Sequence, residues 1–178
     1  MRHPVLVLGI GRPRFGDDAV GPGAAEKVRV LLATSVRVAI DGGSGWSALH
    51  SLDGEELLVL VDAAEASARM PPGAWLRLQY PADSPAIDQC LRRNTHTFGL
   101  ASVLRVVETL GCLPPHVWLY VMAGQRFTPE TEMSPEVEAA LPQMVRAIVS
   151  DVRHWLSLYA RSGRAHPCQH APHSGDVR

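Results

Sequence analysis

The chain has 178 residues, is 46% hydrophobic and carries a formal net charge of −1. That suffices for one globular domain with its own core, and the balanced charge excludes a bulk attraction to nucleic acid or a membrane surface. Cys90, Cys112 and Cys168 are odd in number and none stands at CxxC spacing, which excludes a zinc knuckle or a dithiol motif and argues against a disulfide framework. Met1 leads straight into strand-like and glycine-rich residues without an apolar leader. No apolar run nears the ~18–20 residues of a bilayer span, so a cytoplasmic protein with no membrane partner is expected.

Strand-like and helix-like runs alternate along the chain, which predicts an α/β fold: a single three-layer α/β/α domain with a mostly parallel central sheet. Val5–Leu8 is the first strand, and a turn of Gly9-Ile10-Gly11-Arg12-Pro13-Arg14-Phe15-Gly16-Asp17-Asp18 follows it. A helix is predicted from about Ala19 to Leu32, with Val20, Ala24, Val28, Leu31 and Leu32 on its apolar face and Pro22 in its first turn. Val36–Ile40 is the second strand, closed by Asp41-Gly42-Gly43. The unbroken aliphatic run Leu57–Val61 marks a strand buried on both faces and ending at Asp62. Trp75–Tyr80 suits an edge or antiparallel strand.

Residues Pro81 to Thr97 are expected to form a loop leading into a helix over Phe98–Leu110. Leu100, Val103, Leu104, Val107 and Leu110 form that helix's stripe, and Gly111 stops it. Val117–Met122 is a further strand. The last helix is predicted from Ser134 to about Tyr159, opened by a capping hydroxyl, a proline and Glu136. Pro142 inside it predicts a kink or a division into two helices. The domain therefore spans 1–160, and 161–178 reads as a disordered tail rich in Gly, Pro and His.

A glycine-rich turn between strand and helix ordinarily cradles phosphate, because it aims backbone N–H groups and a positive helix end at an anion. Here the turn ends in two carboxylates, which repel an anion and attract a cation. Asp62 stands at the end of the most buried strand, and His96 just before a helix. In an open parallel sheet the loops at the carboxyl ends of the strands converge, so Asp18, Asp62 and His96 all fall on one predicted edge. Two carboxylates and an imidazole suit an open divalent-metal site. Each member also has a structural reading: an acid pair complements a helix N-terminus, Asp62 caps the next element, and a lone histidine is solvated.

Other candidates are weaker. Asp41 ends the second strand, where dinucleotide folds grip a ribose, but the glycine spacing is GxGxxxxG and the acids oppose a pyrophosphate. Ser44 and Ser47 lack the GxSxG pattern of a nucleophile elbow. His166, Cys168, His170 and His173 are soft-ligand types in a tail, where incidental metal affinity suffices to explain them.

Several segments, in order, resemble one family: LVLGIG and GDDAVG near the N-terminus, DGGS after the second strand, LLVLVDA through the third, and THTFGL before a helix. LPPHVWLYVMAGQ and MSPEVEAALPQMV continue the match over roughly residues 4 to 155. The chain is similar to the maturation endopeptidases of [NiFe] hydrogenases, which remove a C-terminal extension from the hydrogenase large subunit. The resemblance implies a parallel-rich sheet between helices and a metal-binding and catalytic trio at Asp18, Asp62 and His96. It also implies that the nickel is carried by the precursor, with no organic cofactor, and that the partner is the large-subunit precursor; a monomer is expected.

Three positions depart from the family pattern. Arg12 replaces the Asn of GxGN, Ser44 replaces the Thr of DGGT, and Gly124-Gln125-Arg126 lacks the Pro of GIQP. Arg12 and Arg126 are consistent with an altered choice of large subunit, with contact to its acidic groups, or with weakened activity. The retained trio favours an active protease over the alternative, a non-hydrolytic nucleotide or metal sensor on the same scaffold.

Overall fold

The computed structural model describes residues 3–43, 46–49, 52–91 and 100–163. Its strands are β1 (Val5–Ile10), β2 (Arg37–Asp41), β3 (Leu57–Glu65), β4 (Trp75–Tyr80) and β5 (His116–Gly124). They form a five-stranded sheet in the order β2-β1-β3-β5-β4. All neighbours pair in parallel except β4, which lies antiparallel to β5 on the edge. The helices are α1 (Val20–Leu32), α2 (Trp46–Leu49), α3 (Ser84–Leu91), α4 (Leu100–Thr109) and α5 (Pro135–Arg161). This is the expected α/β architecture, and none of the described helices is long and apolar enough to cross a membrane.

Strand alternation divides the core into two layers. Val5, Val7, Val59 and Val61 pack with Val20, Ala24 and Val28 of α1 and with Val137, Leu141 and Ile148 of α5. On the other face Leu6, Leu8, Leu58 and Leu60 pack with Ile87 and Leu91 of α3 and with Leu100, Val103 and Leu104 of α4. Because both faces are covered, the central strands read as continuous aliphatic runs rather than alternating ones.

The differences from expectation have physical causes. β3 does not stop at Val61 but continues through Asp62 to Glu65, because β5 pairs with it along its whole length, up to Glu65 opposite Gly124. Ladder hydrogen bonds thus carry the strand beyond its apolar run. The predicted loop from Pro81 contains α3, whose Ile87 and Leu91 stand four apart and are buried. Leu31, near the end of α1, and Leu110, just past the end of α4, are exposed. A helical period identifies the face that packs, not how far the sheet beneath extends.

α5 passes Pro142 as one helix, so the expected division does not occur. Burial of Val137, Leu141, Met144, Val145, Ile148 and Val152 outweighs the ~3 kcal/mol an interior proline costs. Ser134 and Pro135 do open this helix, but the Ser134 hydroxyl does not cap it. It is used elsewhere. Residues 164–178, and with them His166, Cys168, His170 and His173, lie outside the described residues, as does Ser44.

Candidate active site

The chain leaves β1 through α1 to reach β2 on one side, then returns to place β3 on the other side of β1. The connections therefore diverge at the carboxyl ends of β1 and β3, and such a switch point opens the crevice where α/β proteins bind their ligands. β1 pairs with β3 only as far as Gly9 opposite Val61, so Asp62 is the first β3 residue beyond that pairing. Asp18 sits in a 3-10 turn, Gly16–Ala19, between β1 and α1. Gly21 brings this turn down onto the sheet: a Cβ there would lie 2.1 Å from the Ile10 carbonyl oxygen and 2.6 Å from that of Val61. No side chain larger than hydrogen allows so close an approach.

Asp17 and Asp18 share this turn and have different surroundings. Asp17 is fully buried. Its Oδ2 accepts from the backbone N–H of Gln125 (2.7 Å) and Arg126 (2.9 Å) and from the Ser134 hydroxyl (3.0 Å). Its Oδ1 accepts from Ser134 N–H at 2.6 Å. Two backbone contacts extend the seam: Gly16 N–H donates to Thr131 O and Asp17 N–H to Arg126 O. Gly16 has φ +61°, and a Cβ there would lie 2.2 Å from Arg126 O, so glycine is required. Asp17 is therefore the staple between the glycine turn and the segment entering α5. It does not act as a cap for its own helix.

Asp18 is nearly buried and faces the crevice. Its Oδ2 accepts from Arg12 N–H at 3.0 Å and from Arg12 Nε–H at 2.7 Å. The Arg12 guanidinium lies 3.5 Å above the centroid of the Phe15 ring. Asp62 is 6% exposed and accepts the Ala63 N–H at 2.8 Å. Burial pushes the Asp62 carboxyl up to about 7; the Ala63 N–H offsets part of the rise, and the charge of Asp18 adds to it. The charge of Asp18 is thus felt at Asp62.

His96 lies outside the described residues. Its flanking helices α3 and α4 pack on the sheet face of Leu58, Leu60 and Ala64, to which strand alternation also assigns Asp62. Among the described residues no group of three or more His, Cys, Asp or Glu side chains is arranged to hold a metal ion. Asp41 ends β2 and accepts the Gly43 N–H, an ordinary turn contact. Arg126 contributes its backbone N–H to Asp17, and its guanidinium donates to Glu132 O. The seam between residues 15–18 and 125–134 is what the sequence did not reveal. Its one local signal is a second acid beside Asp18 that the crevice does not need.

Fold and site together define an α/β protein with an acidic crevice at its switch point. The family profile described as HycI, hydrogenase maturation protease, matches residues 24–151. The chain belongs to the hydrogenase maturation protease family, and its class of activity is proteolysis. The matched segment contains Asp62 and His96, and Asp18 precedes it. Among solved structures, the chain is 25% identical to the hydrogenase maturating endopeptidase HybD from E. coli, with a TM-score of 0.70 over 86% of this chain and 93% of that one. An endopeptidase from Escherichia coli is 26% identical, with a TM-score of 0.72 over the same shares of 86% and 93%. The [NiFe] hydrogenase maturation protease HybD from Thermococcus kodakarensis shares the fold at 22% identity, with a TM-score of 0.67 over 83% of this chain and 97% of its own. Nothing among curated protein sequences matches the chain.

Proposed function

We propose that the protein is a cytoplasmic endopeptidase that removes the C-terminal extension of a nickel-loaded [NiFe] hydrogenase large-subunit precursor. The observation that carries this reading is the pair of buried carboxylates, Asp18 and Asp62, flanking the switch-point crevice of a maturation-protease fold. Oxygen donors at the carboxyl edge of the sheet suit a divalent ion brought by the substrate. Asp18, Asp62 and His96 are the groups that approach the nickel, and no organic cofactor is needed.

In this reading the nickel belongs to the precursor and positions the scissile bond against the protease. Hydrolysis then proceeds at a carbonyl polarised, or on a water activated, by that ion, with a crevice carboxylate taking the proton. Nickel-loaded and nickel-free precursors are each mixed with the purified protein, and mass loss is followed. Loss of the extension from the loaded form alone is expected. Cleavage of neither form sinks the protease reading, and equal cleavage of both sinks the role of nickel.

A further inference from the structure

We propose that Arg12 is a displaceable latch on Asp18: its guanidinium occupies the cation side of this carboxylate until a metal ion arrives, and then swings aside. The proposal rests on the reading of Asp18 as a group that approaches the metal, and concerns how this chain keeps that group engaged beforehand. Both contacts from Arg12, backbone N–H and side-chain Nε–H, fall on Oδ2 of Asp18. No hydrogen bond from Arg12 falls on Oδ1.

The two contacts divide the work. The backbone N–H fixes the carboxylate whatever side chain stands at position 12. The guanidinium adds a charge-assisted bond that an incoming cation has to replace. The Arg12 side chain is 37% exposed against 12% for Asp18, so the arginine lies on the solvent side and can be rehydrated when released. Its landing surface is fixed: the Phe15 ring lies beneath the guanidinium, and the Phe15 backbone is bridged to Thr131 across the seam. The latch therefore disfavours free divalent ions, whose gain at Asp18 is reduced by the lost pair. A metal held in a protein partner brings the partner's own contacts with it.

Arg12 is in this sense a positioning residue, and its effect is read in metal binding rather than in turnover. Zn2+, a diamagnetic divalent ion, is titrated calorimetrically into the full metal-free chain and into Arg12→Ala, Arg12→Gln and Asp18→Asn variants. The Asp18→Asn protein subtracts ions taken up by His166, Cys168, His170 and His173. Both Arg12 variants keep the backbone N–H and are expected to bind Zn2+ at the Asp18-dependent site at least about tenfold more tightly than the parent. In the parent, the hydrogen-bonded Arg12 Nε–H resonance moves to the position of free arginines as the site fills. No gain in either Arg12 variant, including no measurable site binding by any form, overturns the latch, as does an Nε–H resonance unmoved at saturation. Normal precursor processing by Asp18→Asn instead overturns the underlying reading of Asp18, so the two failures are distinguishable.

Discussion

Asp17 and Asp18 are the same residue type, adjacent in sequence and both nearly or fully buried, yet they belong to different parts of the molecule. Successive residues of a 3-10 turn point about 120° apart, so one turn can aim two carboxylates at two regions. Asp17 faces the stitched seam and accepts four hydrogen bonds from Gln125, Arg126 and Ser134. Asp18 faces the crevice, where it meets Arg12 and adds to the rise of the Asp62 carboxyl. The seam uses negative charge that is fully satisfied. The crevice holds one carboxylate paired with the Arg12 side chain and a second that the fold favours in its neutral form. An acid pair in a glycine turn is therefore two devices: a staple that sets the turn and an acid turned to the crevice and held there by Arg12.

The sharpest way to break this comparison is to remove the staple. Asp17→Ala strands three backbone N–H groups in buried or half-buried surroundings, at about 1–3 kcal/mol each, so a loss of roughly 3 kcal/mol or more is expected in urea unfolding. A loss under about 1 kcal/mol would dissolve the distinction between the two acids. Asp18→Asn should behave in the opposite way. Processing of the nickel-loaded precursor is expected to fall at least ~100-fold, measured as initial rate of mass loss. Its stability should stay within about 1 kcal/mol of the parent, since an amide keeps the Oδ acceptor for the Arg12 N–H and the arginine lies on the solvent side of the pair.

Asp62 sharpens the crevice side through pH. Its folded pKa of about 7 is raised above the ordinary 3.8, so the fold favours the neutral carboxyl. The contribution to stability is present in full below the unfolded pKa and is lost as pH rises from about 4 to 7. In the metal-free protein, Asp62→Asn should flatten that part of the stability–pH curve and stabilise the fold at pH 8, by up to roughly 4 kcal/mol. A curve unchanged by the substitution would mean that the Asp62 carboxyl is not held in this state.

The smallest expected effect lies outside both regions and serves as a control. Tyr120 is buried on β5 and donates to Asp151 of α5 at 2.6 Å, and Asp151 also pairs with Arg77. Tyr120→Phe leaves Asp151 partnered, so a loss of about 1 kcal/mol with unchanged processing is expected. Burial and the Asp151 bond hold the Tyr120 phenol well above its ordinary range, which makes the parent lose stability above pH 10 as the unfolded phenol ionises. Tyr120→Phe should lack that loss.

Much of the architecture was legible without coordinates. Val5–Leu8 and Leu57–Val61 announce central strands because residues buried on both faces must be apolar throughout, and Val20, Ala24 and Val28 announce the face of a covering helix. Trp75–Tyr80 alternates less cleanly, as the antiparallel edge strand it forms requires. Local pattern also singled out Asp18 and Asp62, since acids after buried strands reach the carboxyl edge of a parallel sheet. Period and composition missed α3 and the extension of β3 through Asp62, and left open whether Pro142 divides α5. Each of these depends on a partner element elsewhere in the chain.

The sequence by itself determined the layers, the parallel sheet and the presence of an acidic turn where a phosphate cradle is ordinarily found. Only the tertiary structure decided which acid does what. Gln125, Arg126 and Ser134 are more than a hundred residues from Asp17, and no local propensity encodes where their N–H groups and hydroxyl will point. The order β2-β1-β3-β5-β4 then sets the crevice between β1 and β3, and with it the approach of Asp18 to Asp62. A side chain's chemistry is written in its type, but its role depends on what the fold puts within about 3 Å of it.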